Sequence, residues 1–322
     1  MIFSLALTGP TASGKTELSL VAAELLGCEI ICCDSMQIYK GMNIGTAKAT
    51  EAEMSRVPHH MVDIINPDEN FSASAYRELA IPIARGICER GKIPLFVGGT
   101  GLYLDTVKRR YTPDPPAADA AYREKILEKI RTEEEKIELW EKLLSVDKIS
   151  AEKTHYNNVR RVIRALEIYE KTGKPKSYFD EQSRLPNEEI LVKHITIDFH
   201  NRDNLYRRID LRVEEMFDAG LAEEVKSLTE EGLLPKDSTA AGAIGYKELI
   251  EGERLGLSCE EIKEIIKQAT RNYAKRQLTW FRNSPEANVI YRDDPQTGKI
   301  KRSEDFFAEF LSLATEAVKA FR

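Results

Sequence analysis

Hydrophobic and polar positions along this chain switch repeatedly between two rhythms. Residues 2–8 form a short, nearly continuous apolar run that ends at a glycine-bearing turn, and residues 17–26 then carry apolar side chains at helical spacing. Strand, loop and helix follow one another. The pattern recurs: residues 29–33 read as a buried strand ending at Asp34, residues 61–65 as a third strand and residues 73–90 as a helix. Residues 93–97 read as a fourth strand, which runs into Gly98-Gly99-Thr100-Gly101. Strands separated by helices predict a parallel sheet covered on both faces. Ligands of such sheets sit beyond the carboxyl ends of the strands. The turns at 9–16, at Asp34 and at 98–101 all fall at those ends, so three segments are expected to converge on one crevice.

The text changes character at residues 111–116, where Pro113, Pro115 and Pro116 mark a linker. Residues 117–146 are charge-rich and helical, residues 157–171 give a second helix, and residues 173–187 read as a polar loop. Strand signal returns at 194–199, so the helical stretch reads as an insertion rather than a tail. Helices at 202–219, 221–231 and 259–281, a strand at 289–291 and a C-terminal helix complete the pattern. The expected organisation is a P-loop NTPase-like α/β core over 1–113 and 190–322, with an all-helical insertion over 114–189. A length of 322 residues, above the size at which one core usually stops growing, agrees with two bodies.

Composition narrows the class further. With 42% hydrophobic and 31% charged residues the chain has ordinary globular composition, and no apolar run approaches the roughly 20 residues of a spanning helix. The N-terminal run lacks the basic flank of a signal peptide, so a cytoplasmic location is expected, and a monomer with it. The five cysteines, Cys28, Cys32, Cys33, Cys88 and Cys259, show no zinc spacing and read as small apolar residues of a reduced protein. A formal net charge of −6 excludes indiscriminate attraction to nucleic acid. An RNA partner would have to be met by local basic surfaces.

Gly9-Pro10-Thr11-Ala12-Ser13-Gly14-Lys15-Thr16 matches G-x-x-x-x-G-K-[ST] at every defined position and lies between a strand and a helix. Such a loop wraps an anion with backbone N–H groups, Lys15 reaches the outer phosphate, and Thr16 is the candidate Mg²⁺ ligand. Asp34, at the end of its strand, could accept a proton from a nucleophile, bind metal through water, or cap a turn. The strand at 93–97 ends in Gly-Gly-Thr, where a nucleotide-hydrolysing protein usually carries a Walker-B aspartate. Motor, GTPase and helicase readings fall, leaving small-molecule kinases and other diphosphate-handling transferases. Thr100 could hydrogen-bond a diphosphate or the acceptor, or cap a helix.

The ordered motifs resemble one family closely. They are the P-loop; Asp34-Ser35-Met36-Gln37-Ile38-Tyr39-Lys40-Gly41-Met42-Asn43-Ile44-Gly45-Thr46-Ala47-Lys48; Pro58-His59-His60-Met61-Val62-Asp63; Gly98-Gly99-Thr100-Gly101-Leu102-Tyr103; Arg161-Val162-Ile163-Arg164-Ala165-Leu166-Glu167; and Ala243-Ile244-Gly245-Tyr246-Lys247-Glu248. Together they span nearly the whole chain, and the set resembles the tRNA dimethylallyltransferases. The resemblance implies transfer of a dimethylallyl group from dimethylallyl diphosphate to N6 of the adenosine 3′ to the anticodon (position 37). It implies Asp34 as general base on the acceptor amine, Thr100 where the two substrates meet, and a P-loop that holds diphosphate with Mg²⁺. Arg212, with Arg208 as the alternative, would help bind the leaving group. The anticodon stem-loop would be met by Asp34, Ser35, Met36, Gln37, Thr100, Arg123, Arg160, Arg161, Val162, Ile163, Arg164, Tyr246 and Lys247.

Spacing puts Arg160 and Arg164 on one helix face. Lys267, Arg271 and Lys275 recur at four-residue steps and continue to Arg276 and Arg282 without an intervening carboxylate, which predicts phosphate contact. His59 and His60 precede a strand and should point to opposite faces, one packing and one lining the crevice. Three rivals share some of these parts. A P-loop kinase would not need the basic helices, and a prenyltransferase of free adenine nucleotides would not need the Arg160–Arg164 helix. A non-enzymatic RNA binder would leave Asp34 and Thr100 without a purpose.

Overall fold

Six strands pair side by side, all parallel, in the order β3-β2-β4-β1-β5-β6. In chain order the elements of this computed structural model, which describes residues 1–110, 120–183, 185–236 and 238–321, begin with β1 (Ile2–Thr8), α1 (Lys15–Leu26) and β2 (Cys28–Cys32). Next come α2 (Glu51–Arg56), β3 (His59–His60), α3 (Ala73–Glu89), β4 (Ile93–Gly98) and α4 (Gly101–Lys108). The helices α5 (Ala120–Leu127), α6 (Glu133–Val146), α7 (Lys148–Glu152), α8 (Val159–Thr172) and α9 (Lys176–Gln182) follow. The chain closes with β5 (Ile190–Asp198), α10 (Arg202–Asp218), α11 (Leu221–Glu230), α12 (Tyr246–Leu255), α13 (Cys259–Arg282), β6 (Asn288–Tyr291) and α14 (Ser303–Phe321). The prolines at 113, 115 and 116, and the boundary expected at 113/114, lie outside the described residues.

Every residue of β1 is buried, as a central parallel strand covered on both faces requires. On one face Leu5, Leu7 and Ile195 meet Leu18 of α1, Ile209 of α10 and Phe306 and Phe310 of α14. On the other, Ala6, Ile31 and Phe96 meet Ala80, Ala84 and Ile87 of α3 and Leu104 of α4. A third cluster joins α11, α12 and α13 to Ile38, Tyr39 and Met42, in the segment that follows β2. Burial pushes the thiols of Cys28 and Cys33 up to about 12, which leaves them inert, and the described cysteines are all free. Among the described residues no helix is long and apolar enough to cross a membrane.

The chain divides into two compact units, Met1–Val107 with Glu189–Arg322, and Lys108–Glu188. The second unit has its own core, in which Leu139 and Leu143 of α6 pack on Val162, Ile163 and Leu166 of α8.

Several elements depart from the expected bounds for local reasons. The strand expected at 61–65 is only His59–His60, because Met61 and Asp63 take φ of 62° and 53° and break the extended run. The helix expected over 117–146 is interrupted. Thr132 restarts it with a capping box in which Glu135 returns the hydrogen bond. The loop expected at 173–187 contains α9, entered from Pro175.

Candidate active site

The loop between β1 and α1 surrounds the amine of Lys15. Its Nζ donates to the carbonyls of Gly9 (3.0 Å) and Pro10 (2.7 Å). Ala12 is held at φ 60°, a conformation that costs a non-glycine residue energy, and its carbonyl accepts from Nε of Arg208 at 2.7 Å. The N–H of Thr11 donates to Oε1 of Gln277 on α13 at 2.9 Å. Burial first, then the Arg212 charge, lowers the Lys15 pKa from 10.5 to about 7, while Asp34 opposes the shift. The lysine is thus poised to gain charge when an anion arrives.

Nε of Arg212, on α10, is buried without a hydrogen-bond partner among the described residues. Burial also lowers its pKa, partly countered by Asp34 and Glu215. A buried guanidinium nitrogen left without an acceptor is costly, and an anionic ligand would supply one. Arg208 differs, since its Nε is already engaged by Ala12. Both arginines line a cleft of about 1080 Å³ together with Thr11, Ala12, Ser13, Gly14, Lys15 and Thr16.

The opposite wall follows from the ends of β2 and β4. One oxygen of Asp34, Oδ1, accepts from the N–H of Met36 at 3.0 Å, so the turn role is real, and the second oxygen remains for other work. Thr100 Oγ1 accepts the N–H of Ser35 at 2.9 Å and donates to Ser35 Oγ at 3.2 Å. Its backbone N–H reaches Cys33 O at 3.1 Å, tying the two strand ends together. Gly99 permits this junction: a Cβ there would lie 2.1 Å from Nε2 of Gln277, which donates to Gly99 O at 3.0 Å. Gln277 therefore bridges the P-loop and the Thr100 turn with the two ends of one carboxamide.

The profile of the IPP transferase family matches residues 37–284, and that of isopentenyl transferases matches residues 3–66. The chain belongs to the tRNA dimethylallyltransferase family. It is 45% identical over 289 residues to the tRNA dimethylallyltransferase of Thermoanaerobacter sp., covering 89% of this chain and 91% of that one. The Geobacillus thermodenitrificans enzyme of that name is 46% identical over 301 residues, covering 93% and 94%. The crystal structure of the tRNA isopentenylpyrophosphate transferase of Bacillus halodurans superposes with a TM-score of 0.71 at 36% identity, covering 99% and 98%. A eukaryotic dimethylallyltransferase acting on tRNA gives a TM-score of 0.75 at 29% identity, covering 90% and 74%.

Within the core unit, Asp34, Ser35, Met36 and Gln37 all line the cleft with the P-loop from Thr11 onward. Gly9 and Pro10 contribute the carbonyls beneath Lys15, and Thr100 is tied to the wall through Ser35 rather than forming part of it. Its hydroxyl serves Ser35, not the start of α4. Tyr246 does not fit the expected RNA contact, because it is fully buried and its phenol donates to Glu224 at 2.6 Å. The next residue, Lys247, is exposed. His60 pairs with Glu29 at 2.8 Å and His59 with Val57 O at 2.7 Å, so neither takes the expected place in the crevice.

In the helical unit Arg160 and Arg161 are exposed, whereas Val162 and Ile163 are core residues without side-chain surface for RNA. Arg123 and Arg164 both donate to the fully buried carboxylate of Glu167, at 2.8–3.0 Å and 2.9 Å. The basic run on α13 is also largely paired. Lys267 meets Glu214 and Glu264, Arg271 meets Asp210, and Arg282 forks onto Asp198. The missing carboxylates come mainly from α10 and β5, which one helix's sequence does not reveal. Of this run Arg276 lines the cleft, beside Tyr273 and Gln277. Sequence reasoning missed Gln277, although Thr270, Tyr273 and Gln277 recur at i, i+3 and i+7, the signature of one helix face.

Proposed function

We propose that this chain transfers the dimethylallyl group of dimethylallyl diphosphate to N6 of the adenosine 3′ to the anticodon of tRNA, releasing diphosphate. One observation carries the reading: a P-loop without a Walker-B carboxylate shares its cleft with Asp34 and with the unpartnered Nε of Arg212. The loop N–H groups, Lys15 and Arg212 hold the diphosphate. As the allylic C–O bond breaks, its electron pair leaves on the diphosphate, where these fixed donors stabilise the growing charge. The adenine N6 lone pair forms the new N–C bond, and Asp34 takes the N6 proton through its free oxygen. Ser35 and Thr100 keep that carboxylate's turn in place.

The donor set fits magnesium bound as its diphosphate complex. Among the described residues no three His, Cys, Asp or Glu side chains converge on a metal position, and Thr16 offers one hydroxyl beside the anion loop. Mg²⁺, when bound there, neutralises charge on the diphosphate oxygens. In this reading Arg160, Arg161 and Lys247 meet RNA phosphates, Glu167 holds Arg123 and Arg164 at fixed orientation, and the chain works as a monomer.

The test supplies the protein and Mg²⁺ with labelled dimethylallyl diphosphate and either an anticodon stem-loop or free AMP. Label is expected on the stem-loop. Label on AMP alone, or phosphorylation of a small acceptor by ATP instead, would overturn the reading.

A further inference from the structure

One carboxylate outside the reacting groups anchors a segment that lines the cleft. Glu224, on α11, accepts four hydrogen bonds. Its Oε2 takes the N–H groups of Asn43 (2.9 Å) and Ile44 (2.8 Å), and its Oε1 takes the N–H of Gly45 (3.2 Å) and the phenol of Tyr246 (2.6 Å). Three successive backbone donors converging on a carboxylate imitate the way a loop grips an anion, except that here the anion belongs to the protein. Tyr246 locks the arrangement from below. A Cβ on Gly45 would lie 2.4 Å from the Tyr246 ring, so only glycine lets the segment settle there.

The segment so held, residues 43–48, lines the same cleft as Lys15 and Asp34. It is coupled to the acceptor side by Gln37, whose Nε2 donates to Thr46 O (3.1 Å) and Ala47 O (3.2 Å). Ala47 sits at φ 45°, a conformation that persists only where neighbours enforce it. Lys48 closes the segment with bonds to Tyr39 O (2.7 Å) and Asn43 Oδ1 (2.9 Å) and an ion pair to Asp63. A contact path therefore runs from Glu224 through the 43–45 backbone and the 46–47 carbonyls to Gln37, three residues from Asp34. The same network reaches the P-loop only beyond that run, from Ser35 through Thr100, Gly99 and Gln277 to the N–H of Thr11, so the acceptor side is met first.

We propose that Glu224 is a positioning residue for the acceptor side of the cleft: it fixes segment 43–48 and, through Gln37, the run that presents Asp34 to the RNA base, without serving the diphosphate. This rests on the transfer reading above. Replacing the carboxylate by a carboxamide keeps the shape but substitutes a donor for one acceptor oxygen. On either side that donor would face at least one backbone N–H, Gly45 at Oε1 or Asn43 and Ile44 at Oε2, and repel it. Tyr246→Phe removes one of the four bonds and leaves the three backbone bonds intact, giving a milder perturbation of the same device.

The experiment compares the full wild-type chain with Glu224→Gln and Tyr246→Phe in three measurements. These are amide hydrogen exchange of the 42–48 peptide, the affinity for magnesium pyrophosphate, and the steady-state kinetics of label transfer to an anticodon stem-loop. Glu224→Gln is expected to speed exchange at residues 43–45 by about tenfold or more and to lower kcat/KM for RNA by about tenfold. Pyrophosphate affinity and KM for the prenyl diphosphate should stay within about twofold, with Tyr246→Phe intermediate in exchange and in kcat/KM for RNA. Unchanged exchange, or pyrophosphate affinity falling in step with RNA turnover, would overturn the proposal by showing no role or a merely global one. A wild-type chain that binds pyrophosphate yet modifies no RNA would overturn the transfer reading, and the acceptor-side assignment with it. Normal wild-type turnover together with full kcat/KM in Glu224→Gln would overturn the Glu224 inference alone.

Discussion

Raising the pH should weaken diphosphate binding through Lys15. Its pKa is lowered from 10.5 to about 7 by burial and by Arg212, and without ligand its amine rests on the carbonyls of Gly9 and Pro10. A bound anion favours the ammonium form, so above neutral pH binding must bring in a proton. For a free-state pKa near 7, the protonated fraction falls from about three-quarters at pH ~6.5 to about 3% at pH ~8.5. Affinity should drop roughly 25-fold over that interval, about 1.9 kcal/mol. Pyrophosphate and magnesium hydration titrate as well, so wild type is compared with Lys15→Met at each pH by calorimetry. At low pH the variant should bind about a hundredfold more weakly, from a loss of roughly 3 kcal/mol of donor stabilisation. The gap should narrow as pH rises, and wild type should take up about one proton per ligand at pH ~8.5. Parallel pH profiles for the two proteins, or no proton uptake, would refute the reasoning. The sign for folding runs the other way from a paired lysine: the unfolded chain holds the extra proton between pH 7 and 10.5, so this group makes the ligand-free protein more stable as pH rises through that window.

Three further outcomes follow from the same geometry. Asp34→Asn keeps the turn acceptor for Met36 but loses the base, so transfer should fall by about a hundredfold or more while stem-loop affinity is retained; intact turnover per bound complex would contradict the assignment. Gly99→Ala places a Cβ 2.1 Å from Nε2 of Gln277 and should break its bridge, lowering stability by about 1–3 kcal/mol in denaturant melts and transfer with it. Glu167→Gln removes a buried carboxylate shared by Arg123 and Arg164. With both cations partly exposed, the unfolding free energy of the helical unit should fall by about 1–3 kcal/mol, and stem-loop binding should weaken more than pyrophosphate binding.

The centre of the sheet was legible because β1, β2 and β4 are largely buried and read as nearly continuous apolar runs, and glycine-rich turns punctuate the carboxyl ends of β1 and β4. The P-loop and Asp34 could be placed for the same reason. What could not be read depended on distant partners. Lys267 and Arg271 form a basic stripe in sequence, yet Glu214 and Asp210 from α10 neutralise them in the fold. Tyr246 reads as a loop aromatic, and only the approach of Gly45 and Glu224 turns it into a buried anchor. The early end of β3 reflects positive φ at Met61 and Asp63, which their side chains do not announce. Arg208 and Arg212 lie one turn apart on α10, and it is burial of the second, with its Nε left unpartnered, that distinguishes them.

The most direct test of transfer to the adenosine amine is mass spectrometry of nucleosides released from a stem-loop RNA after incubation with the protein, Mg²⁺ and dimethylallyl diphosphate. One adenosine, the residue 3′ to the anticodon, should gain a single five-carbon unit attached at N6, with one diphosphate released per unit added. Unmodified RNA under conditions where the protein binds both substrates, or the five-carbon unit on a different atom or nucleoside, would contradict the account.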